Sequence, residues 1–160
     1  MNNVQKNKIC ELKNLWKETF FDNDEYLNNF FKYVYDEKNT LIYKCKNKIV
    51  SALYMIPYTF QINGKRHKIM YLYALATDEK YRKNGIMTEM INESNRFIEK
   101  EGCIGSFLIP ANENLYTFYH KFGYSNYLYE KKYSLIKQSD IDYKLIECDN
   151  YDKIFEIDDL

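Results

Sequence analysis

The chain has 160 residues, the length of one compact domain, and its 46% hydrophobic and 18% aromatic content is enough to build a core, which excludes wholesale disorder. Its 23 Lys+Arg balance 23 Asp+Glu, and a formal net charge of zero argues against a protein held to nucleic acid by phosphate contacts. No run approaches the roughly 18 uninterrupted apolar residues of a membrane span, and residues 1–8 hold no apolar signal core, so a cytoplasmic protein without membrane contact is expected.

Ile9, Leu12, Trp16 and Phe20 recur at helical spacing and predict a first amphipathic helix over about 6–21. The stretch 21–25 breaks it. Asn23 or Asp24 can cap a second helix, about 25–35, with Leu27, Phe30, Phe31 and Val34 along one face. The period then changes. Segments 40–45 and 49–62 are rich in β-branched and aromatic residues, with 46–48 between them as a turn. Asn63-Gly64 is a strong hairpin signal and returns the chain into a strand over about 65–76.

Met87, Met90, Ile91, Ser94, Phe97 and Ile98 fit the helical period again, predicting a helix over about 85–100 that begins at Gly85 and is ended by Glu101-Gly102. The apolar run 103–109 is expected to be a short buried strand closed by Pro110. Leu115, Phe118, Tyr119 and Phe122 form the face of a short helix ending at Gly123, and 124–136 and 141–148 read as two final strands. The order ααβββαβαββ is that of an α/β (α+β) fold, a mixed and mostly antiparallel sheet of about six to seven strands flanked by helices.

The four cysteines, Cys10, Cys45, Cys103 and Cys148, are scattered without a Cys-x-x-Cys. They read as free thiols in a reducing compartment, and no metal is expected. Arg66, Arg82 and Arg96 are the only arginines, which leaves 23 − 3 = 20 lysines beside 17 tyrosines. That skew looks like an AT-rich coding bias, so a single Lys, Asn or Tyr carries weight only where its spacing singles it out.

Two stretches pass that test. In residues 75–88 a strand ends, a loop with one glycine turns, and an amphipathic helix starts. Amide groups at a helix start are unpaired and carry partial positive charge, so they can hold a phosphate. Arg82 adds a mobile cation, and Gly85 permits close approach of the backbone. The pattern is neither a P-loop nor a Rossmann fingerprint, and an ordinary strand-to-helix connection is an equal reading of it alone. The second stretch is Asn112-x6-Tyr119-x-x-x-Gly123-Tyr124, in which Tyr119 taken alone reads most simply as a core aromatic.

Together, Arg82-x-x-Gly85 and the tyrosine motif some thirty residues later resemble the GCN5-related N-acetyltransferase superfamily, and the order of elements agrees over about 5–148. Trp16 in the first helix, Phe30-Phe31 in the second and the Asn63-Gly64-Lys65 turn are especially similar to the N-terminal domain of enhanced-intracellular-survival type acetyltransferases. The resemblance implies acetyl-CoA as cosubstrate, with its pyrophosphate on the amides of Arg82, Lys83, Asn84, Gly85, Ile86, Met87 and Thr88. Its pantetheine arm would run beside Leu75, Ala76 and Thr77, the thioester would enter a gap where two central strands splay, and Asn112, or Asn114 as a second candidate, would contact the arm. The family position of Met87 is usually Gly or Ala, and Asn84 replaces a frequent glycine. The Met87 side chain either crowds the phosphates or points into the core.

Acetyl transfer needs a neutral amine, a donor for the tetrahedral oxyanion and a proton for the leaving thiolate. By resemblance Tyr119 is the general acid, and a phenol with a pKa of about 10 is suitably matched to a thiol. No base stands out: His120 points away from Tyr119 on its helix, and His67 reads as a surface residue of the hairpin. Asp22, Asp24 and Glu25 lie in the loop that helps form the acceptor site in the family, where Asp24 and Glu25 are weak candidates for drawing in a cationic amine and equally serve as helix-capping acids. The expected activity is an acetyl-CoA-dependent N-acetyltransferase acting on a small-molecule or peptide amine, with no nucleic acid or membrane partner and a homo-oligomer left open. The rival is an acyl-CoA-binding or protein-interaction module of the same fold. The acetyltransferase domain is expected over 1–148, with 149–160 a tail that opens a further domain.

Overall fold

The computed structural model describes residues 3–125. Helix α1 (Asn3–Phe20) is followed by α2 (Asp24–Tyr33), whose start is capped as the sequence predicts: the Asn23 side chain accepts a 2.8 Å hydrogen bond from the Tyr26 amide. A short 3-10 turn, Glu37–Asn39, leads into an antiparallel meander of β1 (Thr40–Cys45), β2 (Lys48–Ile62) and β3 (Lys65–Thr77). A second 3-10 turn, Glu79–Tyr81, precedes α3 (Ile86–Lys100). Strand β4 (Ser106–Phe107) pairs parallel with β3, and α4 (Asn114–His120) follows. The sheet order is β1-β2-β3-β4.

Alternation along the strands sends side chains to two cores. Leu53, Met55, Met70 and Leu72 face α3 and join Ile86, Met90, Ile91, Ile98 and Tyr119. Ala52, Tyr54 and Ala76 face the other way and join Leu12, Trp16, Leu27 and Phe30 of α1 and α2. Trp16 is 2% exposed, with its ring 4.6 Å from Phe30 and 5.1 Å from Tyr54. The three consecutive antiparallel strands and the helix crossing the sheet therefore stand where the sequence predicts them.

One expected element differs. The run 103–109 is not a buried strand: only Ser106 and Phe107 pair, both are half-buried, and Ile104 and Ile109 are 56% and 73% exposed. Its ladder is limited to Met70↔Ser106 and Tyr71↔Phe107, preceded by a 2.9 Å bond from the Ile104 amide to the Lys68 carbonyl, and Pro110 has no amide to continue it. The described sheet has four strands where six to seven were expected. The strands expected at 124–136 and 141–148 fall outside the described residues from 126 onward, as does the boundary expected after 148. Among the described residues no helix is long and apolar enough to cross a membrane.

Candidate active site

Strand β3 is irregular just beyond Tyr71. Between the pairs Ala52↔Ala76 and Tyr54↔Tyr73, Leu53 of β2 stands opposite both Ala74 and Leu75. This is a β-bulge, with Ala74 at φ 45° in the left-handed region. The extra residue resets the alternation, so that Leu72 and Leu75 share the α3 face while Tyr73 and Ala76 share the α1 face. Beyond Tyr71 no residue of β4 pairs with β3, and the strands open into a cleft of about 360 Å³ that runs through the sheet. That volume is in the range of small-molecule sites.

The cleft has two differently built sides. Leu72, Leu75, Leu115 and Tyr119 line it on the face of α3 and α4, and Trp16, Phe20, Asp22, Tyr71 and Tyr73 line it on the face of α1 and α2. Tyr119 is 8% exposed, and burial, with Tyr124 beside it, pushes its phenol above the usual tyrosine range. Its ring lies 5.3 Å from Phe118 and 5.9 Å from Tyr124, and its hydroxyl is not held by a hydrogen bond within the described residues. Tyr124 is fixed by a 2.7 Å hydrogen bond between its hydroxyl and Ser106 Oγ.

Strand β3 leads out of this cleft to the start of α3. Thr77 is buried, shares a 2.9 Å hydroxyl bond with Ser51, and its carbonyl accepts a 2.9 Å bond from Arg82 Nε. Ala76 is buried in the α1 core, and its carbonyl accepts from Ser51 Oγ. Asp78 supports the turn, accepting from the Lys80 amide at 3.1 Å and from Lys48 Nζ at 2.9 Å, and Lys48 holds its carboxyl below the usual range. Lys83 and Gly85 both take left-handed conformations, φ 63° and 78°, and the Asn84 side chain donates to the Tyr81 carbonyl. Gly85 gives α3 no side-chain cap, and a Cβ placed there would meet nothing within 4 Å. The first amides of α3 have no intrahelical partner, and the space where a Gly85 side chain would stand beside them is open. Ile86 is buried, Thr88 is exposed, and Met87 is half-buried against the α3 core, so its side chain does not occupy the space over the turn.

The remaining sequence candidates are placed differently. Asn112 and Asn114 are exposed at the start of α4, and Ala111 and Leu115 rather than either asparagine line the cleft. Asp24 is exposed and pairs with Lys17 at 2.6 Å, and Glu25 is exposed in the first turn of α2. Neither lines the cleft. Asp22 does: Phe21 ends α1 at φ 60°, in the left-handed region, and the turn presents Asp22 Oδ2 to Trp16 Nε1 at 2.8 Å. His120 is exposed, and His67 is half-buried in the hairpin opposite Phe60. Tyr71 and Tyr73 also belong to the cleft, with Tyr73 hydrogen-bonded to the Tyr26 hydroxyl and pushed up chiefly by burial and by that bond. Sequence reasoning passed over both tyrosines as ordinary strand aromatics. Among the described residues no group of His, Cys, Asp and Glu is arranged to hold a metal ion.

Comparison with known proteins places this architecture. No curated protein matches the sequence. A conserved protein of Enterococcus faecalis V583 described as a probable N-acyltransferase is similar in structure, with a TM-score of 0.64 and 20% identity over 74% of this chain, and this chain spans 30% of its length. A GNAT family acetyltransferase of Staphylococcus aureus matches with a TM-score of 0.62 and 20% identity, covering 84% of this chain and 95% of its own. The aminoglycoside acetyltransferase AAC(6')-Iy, in complex with a CoA-containing bisubstrate analogue, matches with a TM-score of 0.66 and 13% identity over 86% of this chain and 95% of its own. These likenesses show the fold. The model of the acetyltransferase (GNAT) domain family matches residues 1–127, and the chain therefore belongs to the GNAT acetyltransferase family.

Proposed function

We propose that the chain transfers an acetyl group from acetyl-CoA to a primary amine by direct attack within the cleft between β3 and β4, with Tyr119 as general acid. The observation that carries this reading is the cleft itself. It opens beyond the last β3–β4 pair, Tyr71↔Phe107, beside the bulge at Ala74-Leu75, and it holds a buried tyrosine on the face that leads to the uncapped start of α3.

The residues fit the cosubstrate. The free space over Gly85 and the first-turn amides suit a pyrophosphate, with Arg82 as the nearby cation. The edge of β3 beyond Tyr71, unpaired by β4, offers Leu75, Ala76 and Thr77 as strand-like partners for the pantetheine amides. Asn112 and Asn114 at the head of α4 are the candidates to meet the arm. Acetyl-CoA supplies the activated thioester.

The ammonium of the acceptor first loses a proton to water. The neutral amine nitrogen then forms a bond to the carbonyl carbon, and an amide of the bulged strand near Ala74 donates to the oxygen as charge develops on it. The C–S bond breaks, Tyr119 gives its proton to the thiolate, and a proton from the amine nitrogen returns to the phenolate. The products are an N-acetyl amine and CoA thiol. Because burial raises the Tyr119 pKa, the phenol keeps its proton across the physiological range, as a general acid must.

We also place the chain beside the N-terminal domain of enhanced-intracellular-survival type acetyltransferases. The tilted contact of Trp16 with Phe30 at 4.6 Å, the Phe30–Phe31 contact at 5.5 Å and the long hairpin closed at Asn63-Gly64 support that reading. Release of CoA thiol from acetyl-CoA, followed with each of a set of amines, tests the proposal. Amine-dependent release is expected. Saturable acetyl-CoA binding with no release by any amine would favour the binding-module reading instead.

A further inference from the structure

Resting on the acetyltransferase reading above, we propose that the acceptor is an amine of single positive charge carried on an aromatic or similarly flat apolar body, and not a polycation. The cosubstrate enters the cleft from the face of α3, so the amine meets the opposite face, built by Trp16, Phe20, Asp22, Tyr71 and Tyr73. Among the described residues lining the cleft, Asp22 is the sole charged group. It is half-buried and fixed through Oδ2 on Trp16 Nε1, which leaves the accepting capacity of its other oxygen for an ammonium.

One carboxylate matches one positive charge. The next acid along the chain, Asp24, is already paired with Lys17 and does not line the cleft. Among the described residues a second ammonium on an aminoglycoside or polyamine would be desolvated against rings with no second carboxylate to meet it. The aromatic walls instead add cation–π attraction to a single charge at Asp22. They also continue past it. Tyr73 lies 5.2 Å from Tyr71, and Tyr71 stacks on Phe107 at 4.7 Å with the rings 5° from parallel. A flat apolar body beyond the amine meets the Tyr71 and Tyr73 rings that line the cleft, whereas a hydroxyl-rich sugar finds few polar partners among the described lining residues.

The test compares phenethylamine with spermidine and kanamycin as acceptors, and reads binding separately through Trp16, the single tryptophan of the chain, excited at the red edge of the indole band. The kcat/KM for phenethylamine is expected to exceed that of either polycation by at least about tenfold. Asp22→Asn keeps an acceptor for Trp16 Nε1 and removes the charge; it is expected to raise the phenethylamine KM about tenfold and leave the KM for acetyl-CoA unchanged. Equal or better kcat/KM for a polycation would overturn the acceptor class while the acetyltransferase reading stands. If no amine releases CoA thiol but phenethylamine still shifts Trp16 emission saturably, and Asp22→Asn weakens that shift, the acceptor class holds and the transfer reading falls. Phenethylamine that neither shifts the emission nor is acetylated overturns the proposal.

Discussion

Replacing Tyr119 by phenylalanine separates a role in chemistry from a role in packing. The substitution keeps the ring, and with it the contacts to Phe118 at 5.3 Å and Tyr124 at 5.9 Å, and deletes only the hydroxyl. That hydroxyl is not held within the described residues, so its loss should change stability by no more than about 1 kcal/mol, the worth of one hydrogen bond. As a general acid the same group is worth roughly 10²–10⁴ in kcat. At about 1.4 kcal/mol per decade, that is about 3 to 5.5 kcal/mol of transition-state stabilisation. The two readings thus differ several-fold in size and in the observable that moves. Steady-state kinetics and a thermal melt on the same preparation decide between them: kcat should collapse while the melting temperature and the KM for acetyl-CoA stay near the parent. The pH profile adds a check of sign. Burial raises the phenol pKa, so the parent should show no alkaline loss from Tyr119 ionisation below the ordinary tyrosine value of about 10. A Tyr119→Phe protein that turns over within about threefold of the parent would refute the role.

Further outcomes follow from the packing. Trp16→Ala removes a side chain that is 2% exposed and holds Asp22, and should cost about 3–5 kcal/mol in urea unfolding followed by circular dichroism. Met87→Ala should lower stability by about 1–2 kcal/mol, because Met87 is half-buried against the α3 core, and should leave acetyl-CoA affinity unchanged by calorimetry. The Lys48–Asp78 pair gives a signed pH dependence, read by melting Asp78→Asn beside the parent. The folded-state pKa of Asp78 is lowered, chiefly by its hydrogen bond from Lys48, so the contribution is present above the unfolded carboxylate value of about 4 and is lost as pH falls through the folded value. The Lys48 pKa is raised, so at the alkaline end the contribution persists until pH rises through that raised value. The parent's advantage in melting temperature should therefore shrink in acid.

What the sequence made legible follows from which interactions are local. The amphipathic periods of α1 to α3, the Asn23 cap and the Asn63-Gly64 turn are set by neighbours within one turn or one hairpin, and they appear close to where the spacing placed them. Tyr119 and Gly85 stand out in the sequence by a spacing that matches a known pattern; Tyr119 lines the cleft, and Gly85 starts α3 at a positive φ, for which glycine is the usual residue. The bulge was not legible. Its left-handed residue is Ala74, which carries no composition signal for that conformation, and the register shift exists only through pairing with β2. Asp22 was weighed with Asp24 and Glu25 as one acidic loop. What sets it apart is the left-handed Phe21 that turns it toward Trp16, and an exposed phenylalanine at φ 60° has no sequence signature. Tyr71 and Tyr73 were hidden by abundance, since a tyrosine among 17 in a β-rich stretch reads as ordinary strand composition. The shortness of β4 was likewise a tertiary outcome, decided by how far β3 stays alongside it.

If acetyl-CoA lies on the amides at the start of α3, a calorimetric titration of acetyl-CoA into the parent, Gly85→Ala and Gly85→Glu reads that contact. Both variants carry the same strain, since Gly85 sits at φ 78°, and the space above it admits a Cβ, so Gly85→Ala controls for folding and for the turn. Only glutamate adds a charge there; two like charges about 5 Å apart at an effective dielectric near 20 repel by roughly 3 kcal/mol, or about a hundredfold in affinity. Saturable binding by the parent, modest weakening in Gly85→Ala and a loss of about a hundredfold or more in Gly85→Glu are expected. A folded Gly85→Glu protein that binds acetyl-CoA as tightly as Gly85→Ala does would contradict that placement.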